Sequence, residues 1–526
     1  MLTLRACKLQ CSEEACVYFT LVISLFLLHF SETYCIQTNI VALRVHRLAL
    51  WWTAVCLIVL VGCNTTIQQP SLSDVSTADN VDIRALKQAA IPFRTAEAGG
   101  DYSDLAPLKQ IVGNARIVSL GEGTHGTREF FQMKHRVLEY LVKEMGFTTF
   151  AIEATWAEAN RVNDYVMNGT GDPSVLLSNL YFWTWNTQEV LAMIQWMREY
   201  NRTTTGRKIG FYGFDMQFSR VTMNDVESYL QRVDPTMAER VAALYLPYRA
   251  YQDAIASSTR NYAAASAGEQ QQCRTNVQAV YDLVRSQAST YVRASSQADY
   301  DRALRAARIV VQNEEMRSNT STAYTIARDR SMAENAAWLL QQGGQGAKIV
   351  LWAHNAHVAN STQFGAEWMG YHLRKQFGND MVIMGFSFGE GKFNAVESNG
   401  TNFTGLKPLS TSFVPDNSFE YQFRRLQLPR FFVDLRSFAT TPEGQWMQEP
   451  RPLRSIGAVF APSYEKNYFY STTLPKEYDV MIYFGTTQAS VLLPFRYSFV
   501  AQHPVSLRTS DIVSTVAPLS TYLFQP

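Results

Sequence analysis

An excess of charge of either sign is the first thing this sequence lacks. Its 526 residues carry 47 Lys and Arg against 46 Asp and Glu, a formal net charge of +1, which excludes the basic footprint of a nucleic-acid binder. No run of the form G-x-x-x-x-G-K-[ST] and no C-x-x-C pair occurs, so neither a phosphate-cradling loop nor a cysteine zinc site is encoded locally. Cysteine is scarce and unevenly placed. Six of the seven, Cys7, Cys11, Cys16, Cys35, Cys56 and Cys63, fall in the first 63 residues, and Cys273 stands alone in the rest. One remaining thiol cannot build a disulfide framework. With 47% hydrophobic and 18% charged residues the chain is neither disordered nor fibrous. At roughly 150 residues per domain the length suits two to four units, and the classes left open are small-molecule enzymes and binders.

Long apolar runs are missing beyond residue 62. Two stand before it, Val17 to Phe30 and Leu48 to Gly62. The second follows Arg44 and Arg47 and is short for a membrane span, which is the layout of a secretory signal. Its end, Leu60-Val61-Gly62-Cys63, resembles a bacterial lipobox, in which the Cys becomes the lipidated first residue. Residues 1–62 are therefore expected to be a leader, 63–82 a Thr/Ser/Gln-rich tether, and 83–526 the folded domain. A signal that begins forty residues late implies a translation start near Val41 or Leu43. Losing residues 1–62 removes Arg5, Lys8, Arg44 and Arg47 with Glu13, Glu14 and Glu32, which leaves the two signs equal. Membrane attachment is then expected through lipid on Cys63, not through a basic face. The expected location is that of an exported bacterial lipoprotein; Asn64, by resemblance to known sorting signals, favours the outer membrane, facing the periplasm.

From Ile83 the pattern is that of a globular α/β domain. Short β-rich runs recur at Arg116 to Leu120, Phe147 to Ile152, Lys208 to Phe214, Lys348 to Trp352, Met381 to Phe388, Phe431 to Leu435 and Asp479 to Phe484. Between the first two, Phe130, Met133, Val137, Leu138 and Leu141 share one helix face. Strands alternating with helices predict a three-layer α/β/α fold with a mostly parallel sheet. Between 222 and 342 the strand pattern gives way to Ala, Arg and Gln at helical spacing, which predicts a helical insertion over one edge of the sheet.

The polar residues at the ends of these runs carry the chemical argument. The first strand leads into Gly121-Glu122-Gly123-Thr124-His125-Gly126. The second ends at Glu153, the third at Asp215, and the fourth at His354-Asn355-Ala356-His357. In an open α/β sheet, ligands bind at the carboxyl ends of the strands. Taken singly, each residue has a plain structural reading: Glu122 and Asp215 as helix caps, a His as a packed strand end. Of the four histidines between Asn64 and His357, however, only His135 lies away from these ends. Histidine beside carboxylates suits a general base that takes a proton from water. The flanking glycines are expected to admit a substrate close to the backbone. Arg128 and Lys134 are candidates to stabilise an oxyanion, and Asp215 to bind substrate. Trp156, Trp183 and Trp185 are candidates to line an apolar cleft.

Gly121 to Phe130 (GEGTHGTREF) resembles the opening motif of the erythromycin esterase family. Ala151-Ile152-Glu153-Ala154, Tyr212-Gly213-Phe214-Asp215, Arg328 to Asn335 (RDRSMAEN) and Trp352 to His357 (WAHNAH) are similar to further family motifs in the same order. Tyr478 to Phe484 with Thr486-Thr487 resembles the last of them. The resemblance implies hydrolysis of an ester, best known as the lactone of macrolide antibiotics, without a serine nucleophile. It implies His125 as the base, Glu122 and Glu153 as its carboxylate partners, and His354 and His357 as the later pair positioning water or substrate. It also implies a role for Lys134, nine positions after His125. No cofactor or metal is expected; the partner is a small ester or lactone.

Three other readings compete. Gly385-Phe386-Ser387-Phe388-Gly389 matches G-x-S-x-G, with Asp434 and His503 in the matching order, but Gly389-Glu390-Gly391-Lys392-Phe393-Asn394 is not the helix a nucleophile elbow needs. His125, Glu153, Asp215, His354 and His357 together form a donor set suited to Zn²⁺ or Mn²⁺, without a local motif to support it. The sheet pattern also resembles that of haem-binding bacterial lipoproteins, with the histidines as ligands; their acidic neighbours suit proton transfer better.

Overall fold

The computed structural model describes residues 83–252, 261–400 and 402–494. The chain divides into two units, Met1–Ser76 and Thr77–Pro526, and every described residue belongs to the second. The expected leader and tether, Cys63 and His503 lie outside the described residues. No helix among the described residues is long and apolar enough to cross a membrane.

Among the described residues twelve strands occur: β1 (Ile91–Pro92), β2 (Ile117–Leu120), β3 (Thr149–Thr155), β4 (Gly210–Asp215), β5 (Ile349–Trp352), β6 (Met381–Ser398), β7 (Phe403–Thr411), β8 (Arg430–Asp434), β9 (Arg451–Arg454), β10 (Val459–Phe460), β11 (Phe469–Thr472) and β12 (Val480–Thr487). The main sheet runs β1-β8-β12-β6-β2-β5-β3-β4, with β7 and β10 also paired to β6. From β12 to β4 every pairing is parallel, while β8 and β1 close the far edge antiparallel. The fold is thus mixed α/β with a large, mostly parallel sheet. Three strands outrun their sequence patterns, β12 by continuing to Thr487. β3 continues through Glu153 to Thr155, and β6 runs on to Ser398 because β7 pairs with its second half.

Period-two alternation splits the central strands between two cores. Val118, Leu120, Val350 and Trp352 pack with Phe131, Val137 and Leu138 of helix Arg128–Met145 on one face. Ile117, Ile349 and Leu351 pack with Met332, Ala336 and Leu340 of helix Ser321–Gln342 on the other. Both faces being covered, these strands read as unbroken apolar runs. Helices Arg220–Val233, Pro235–Arg249, Ala267–Ser286 and Gln297–Arg317 build a third core of their own from Val226, Val241, Val277, Val310 and their neighbours. Helix Ser321–Gln342 lies in the same stretch of sequence but packs on the sheet, and so carries its side chains to the sheet's edge.

Candidate active site

The loop after β2 is shaped by contacts inside the protein. A Cβ on Gly121 would collide with the Asn355 side-chain oxygen, and one on Gly126 with the Asn394 backbone. The glycines therefore admit neighbouring protein segments, not a substrate as expected from their position. Asn355 completes the fixation: its amide donates to the Phe386 carbonyl (2.8 Å) and accepts from the Phe386 N–H (3.1 Å).

Within this loop Glu122 is fully buried and every near contact is a donor. Lys134 Nζ lies 2.6 Å from Oε2, Trp352 Nε1 donates to the same oxygen at 2.7 Å, and His125 Nδ1 lies 2.7 Å from Oε1. Burial opposes ionisation of this carboxyl, but the Lys134 ammonium and the His125 contact outweigh it and hold its pKa below the ordinary value. Lys134, equally enclosed, has its own pKa lowered by burial to about 8, against the pull of Glu122. Its ammonium sits 4.1 Å from the centre of a Trp352 ring, an arrangement that favours the charged form. Lys134 thus anchors Glu122 and is sealed from solvent, so the oxyanion task expected of it does not fit its place.

With its Nδ1–H donated to the Glu122 carboxylate, His125 keeps the lone pair on Nε2 for a proton. The ring is partly open, with 14% of its side chain accessible. No described residue hydrogen-bonds its Nε2. A carboxylate-oriented imidazole with one free, solvent-reachable nitrogen has the form of a general base.

A second group of charges is centred on Arg328, the first residue of the RDRSMAEN stretch. Its guanidinium contacts Asp215 (2.6 Å), Glu153 (2.7 Å) and His357 Nε2 (3.1 Å). Burial disfavours the guanidinium charge, but Asp215 and Glu153 more than compensate and raise its pKa. Guanidinium N–H groups can only donate, so in the neutral ring His357 Nε2 accepts while Nδ1–H donates to Asp329 at 2.7 Å. Burial opposes protonation of this ring, but Asp329 and Glu153, the latter 3.4 Å from Nε2, raise its pKa. Glu153 also accepts the His354 N–H at 3.0 Å. Although burial works against it, this carboxyl is held far below its usual range by His357, Arg328 and His125. Arg328 and Asp329 escaped notice because, on a helix rich in alternating charges, an Arg-Asp pair looks like a solvated face.

His354 stands between the two groups, its ring 5.0 Å from that of His125. Nδ1 accepts from the Ala356 N–H and Nε2 faces the Ile456 carbonyl at 3.2 Å, which fixes the Nε2–H tautomer. Burial, with His125 nearby, lowers its pKa to about 3, so the ring is neutral at ordinary pH.

The structure therefore brings Glu122, His125, Lys134, Glu153, Asp215, His354 and His357 to one edge of the sheet, over β2, β3, β4 and β5. Arg128 instead pairs with Glu189 at 3.4 Å. Trp156 and Trp185 serve packing: Trp156 meets Trp338, while Trp185 meets Trp352 and donates to the Glu153 carbonyl; Trp183 is buried. Ser387 is interior to β6, buried, with its hydroxyl donated to Glu420 (2.7 Å), and no helix follows it. Asp434 is taken by Arg436. Among the described residues no group of three His, Cys, Asp or Glu is arranged to hold a metal. Glu153, Asp215 and His357 instead share the Arg328 guanidinium, a cation supplied by the protein itself.

Comparison with known proteins agrees with this architecture. The family model described as erythromycin esterase matches residues 142–487; the match begins beyond the Gly121–Gly126 loop. The chain is 25% identical over 337 residues to an erythromycin esterase type II of Escherichia coli, covering 57% of this chain and 76% of that one. It is 23% identical over 390 residues to the putative hydrolase YbfO of Bacillus subtilis, covering 70% and 84%. A crystal structure titled as a succinoglycan biosynthesis protein superposes with a TM-score of 0.68 at 26% identity, over 79% of this chain and 100% of that one. An erythromycin esterase mutant in its open conformation shares the fold, with a TM-score of 0.57 at 18% identity over 76% and 97% of the two chains. The chain belongs to the erythromycin esterase family, and the membership supports a hydrolase.

Proposed function

We propose that this protein hydrolyses a carboxylic ester or lactone by water attack, with His125 as the general base and without a serine nucleophile. One observation carries the reading: His125 is held by Glu122 at 2.7 Å through Nδ1 while its other nitrogen is free and its ring partly open. Nε2 takes a proton from water as the oxygen adds to the carbonyl carbon. The tetrahedral intermediate then expels the alcohol oxygen, which recovers that proton from the imidazolium. Glu122 keeps the ring in the required tautomer and compensates its transient charge, as the carboxylate of a catalytic triad does. Lys134 and Trp352 keep Glu122 in place. The Arg328 group gives the adjacent wall its rigidity, and neutral His354 flanks the base.

Macrolide lactones are a substrate class to test, because two relatives are named erythromycin esterases. The wild type and His125→Ala would be incubated with aryl esters, simple lactones and macrolides, and mass spectrometry would look for the gain of one water. Turnover by wild type that is absent in His125→Ala supports the reading. Turnover that survives the substitution overturns it.

Export and lipidation at Cys63 remain part of the proposal, supported by the Leu60-Val61-Gly62-Cys63 sequence. Labelling of the expressed chain with a fatty-acid analogue, lost in Cys63→Ser, is the expected result. Label retained by the variant would remove the anchor from the proposal.

A further inference from the structure

The loop that carries His125 is fixed at its entry by Asn355, and a separate set of contacts fixes its exit. Beyond β12 the chain leaves the sheet, and residues 488–493 run across that exit. The Arg128 N–H donates to the Gln488 carbonyl (2.9 Å), and the Ser490 N–H to the Gly126 carbonyl (2.9 Å). Thr127 forms an antiparallel bridge with Ala489, and Thr187, before helix Gln188–Thr203, forms another with Leu492. The Gln488 N–H donates to Glu129 (2.8 Å), and the Val491 N–H faces both Glu189 oxygens at 3.2 Å. The segment is a strap that ties the exit of the loop to the first turns of two helices.

Asn394 of β6 joins the loop to the strap. It stands opposite Pro408 of β7 and directs its own N–H to the Gly126 carbonyl at 3.0 Å, so that this oxygen receives two donors. Its side-chain amide donates to the Ser490 carbonyl (2.6 Å) and to Ser490 Oγ (3.0 Å). Gly126, Asn394 and Ser490 thus form a closed circuit of hydrogen bonds. Asn394 is buried, and the bonds it makes are not exchanged for water without cost. The approach is close enough to require glycine: a Cβ on residue 126 would lie 2.2 Å from the Asn394 carbonyl oxygen. Inside the loop, Thr124 Oγ1 meets Thr127 Oγ1 at 2.7 Å and accepts from the Gly126 N–H at 3.2 Å.

The two members of the His125–Glu122 pair are held differently. Glu122 is anchored from outside the loop, by Lys134 on a helix and Trp352 on β5. The His125 ring has no described hydrogen-bond partner except Glu122, so its place depends on the course of the backbone on either side. Each residue there has two soft dihedrals. A loop tied at its entry alone would let the imidazole swing off the carboxylate. We propose that Asn394 is a positioning residue for His125, closing with Ser490 a clamp on Gly126 that holds the imidazole against Glu122. The inference deepens the ester-hydrolase reading and rests on it for the role of base; the clamp itself stands on its own contacts.

The test uses the full chain and has two arms. With an aryl ester that the wild type turns over, Asn394→Ala should lower kcat roughly tenfold to a hundredfold, the cost of a displaced catalytic group, and leave KM within about twofold. Nitrogen NMR of the histidine-labelled protein reads the geometry without substrate. The signals lost in His125→Gln assign the ring. In the wild type this neutral ring should hold one tautomer, with the proton on Nδ1; in Asn394→Ala it should exchange between two. Ser490→Pro removes the other donor to the Gly126 carbonyl from the strap side and should give the same two changes, so the clamp stays readable if Asn394→Ala fails to fold. A kcat close to the wild-type value, a loss confined to KM, or an unchanged tautomer in the variants overturns this inference alone, provided His125→Gln is inactive. A tautomer loosened in Asn394→Ala, in a chain that turns over no ester, would sink the hydrolase reading and leave the clamp standing.

Discussion

Two histidine–carboxylate pairs stand at the same edge of one sheet with the same Nδ1–oxygen distance. His125 meets Glu122 at 2.7 Å and His357 meets Asp329 at 2.7 Å. Only the opposite nitrogen distinguishes them. At His125 it is free and the ring partly open; at His357 it accepts from Arg328 at 3.1 Å, and the ring is walled in by Trp368. The first imidazole has a lone pair to give to water. The second has spent its lone pair on a guanidinium and serves to lock Arg328 against Glu153 and Asp215. A carboxylate orients either ring, so orientation alone does not make a base. What faces the opposite nitrogen separates the two rings.

The largest test of this contrast is His125→Gln, which should lower kcat by roughly 10²- to 10⁴-fold while thermal unfolding stays close to wild type. Comparable loss in His357→Gln with His125→Gln still active would reverse the assignment. Next comes Arg328→Met. It leaves Glu153 and Asp215 buried without their cation, and should cost about 3–5 kcal/mol in urea unfolding. A cost below about 1 kcal/mol, the range of an exposed pair, would show that the cluster is hydrated and not a sealed lock. His357→Gln should fall between, at about 1–3 kcal/mol, because Asp329 and Arg328 each lose a buried partner; stability equal to wild type would remove His357 from the lock.

The pH dependence sharpens the other pair. Lys134 titrates at about 8 in the fold, so its charge, and the ion pair that anchors Glu122, are lost as pH rises through that value. Turnover should decline on the alkaline side near pH 8, and Lys134→Met should lack that limb. Stability should move the other way. The unfolded chain keeps this proton to a higher pH, so the folded state binds fewer protons in that window and this residue's contribution becomes more favourable as pH rises. An alkaline limb that persists unchanged in Lys134→Met would place its origin elsewhere. The smallest effect belongs to Ser387→Ala. It should leave kcat intact and cost roughly 1 kcal/mol of stability, the value of its bond to Glu420. Loss of turnover there would revive a serine mechanism.

Much of this arrangement is legible along the chain. The runs at Arg116 to Leu120, Lys208 to Phe214 and Lys348 to Trp352 correspond to β2, β4 and β5 within a residue or two, because strands buried on both faces are continuous and apolar. The polar residues that interrupt those runs mark the edge of the sheet, and the structure gathers them there. β1, β7, β9, β10 and β11 carry no such signal. They are short, or, like β7, have much of their length exposed, and their pairing depends on distant partners. The tryptophans misled for a related reason: an aromatic run looks the same whether it lines a cleft or fills a core.

Local order determined which residues could meet at all: Glu122 three positions before His125 across a tight loop, Glu153 near the carboxyl end of its strand, His354 and His357 on one short helical turn. Those spacings are short-range, and backbone geometry alone translates them into proximity. What each residue then does was decided by the elements packed around it, near and far in the chain. Helix Ser321–Gln342 delivers Arg328 and Asp329 to the two ring nitrogens of His357. Helix Arg128–Met145 delivers Lys134 beneath Glu122. Parallel pairing of β2 with β5 lays Trp352 beside Leu120 and lets its indole reach the same carboxylate. The task of a titratable side chain follows from its burial and from what faces each of its donor and acceptor atoms, and only the packed fold supplies both.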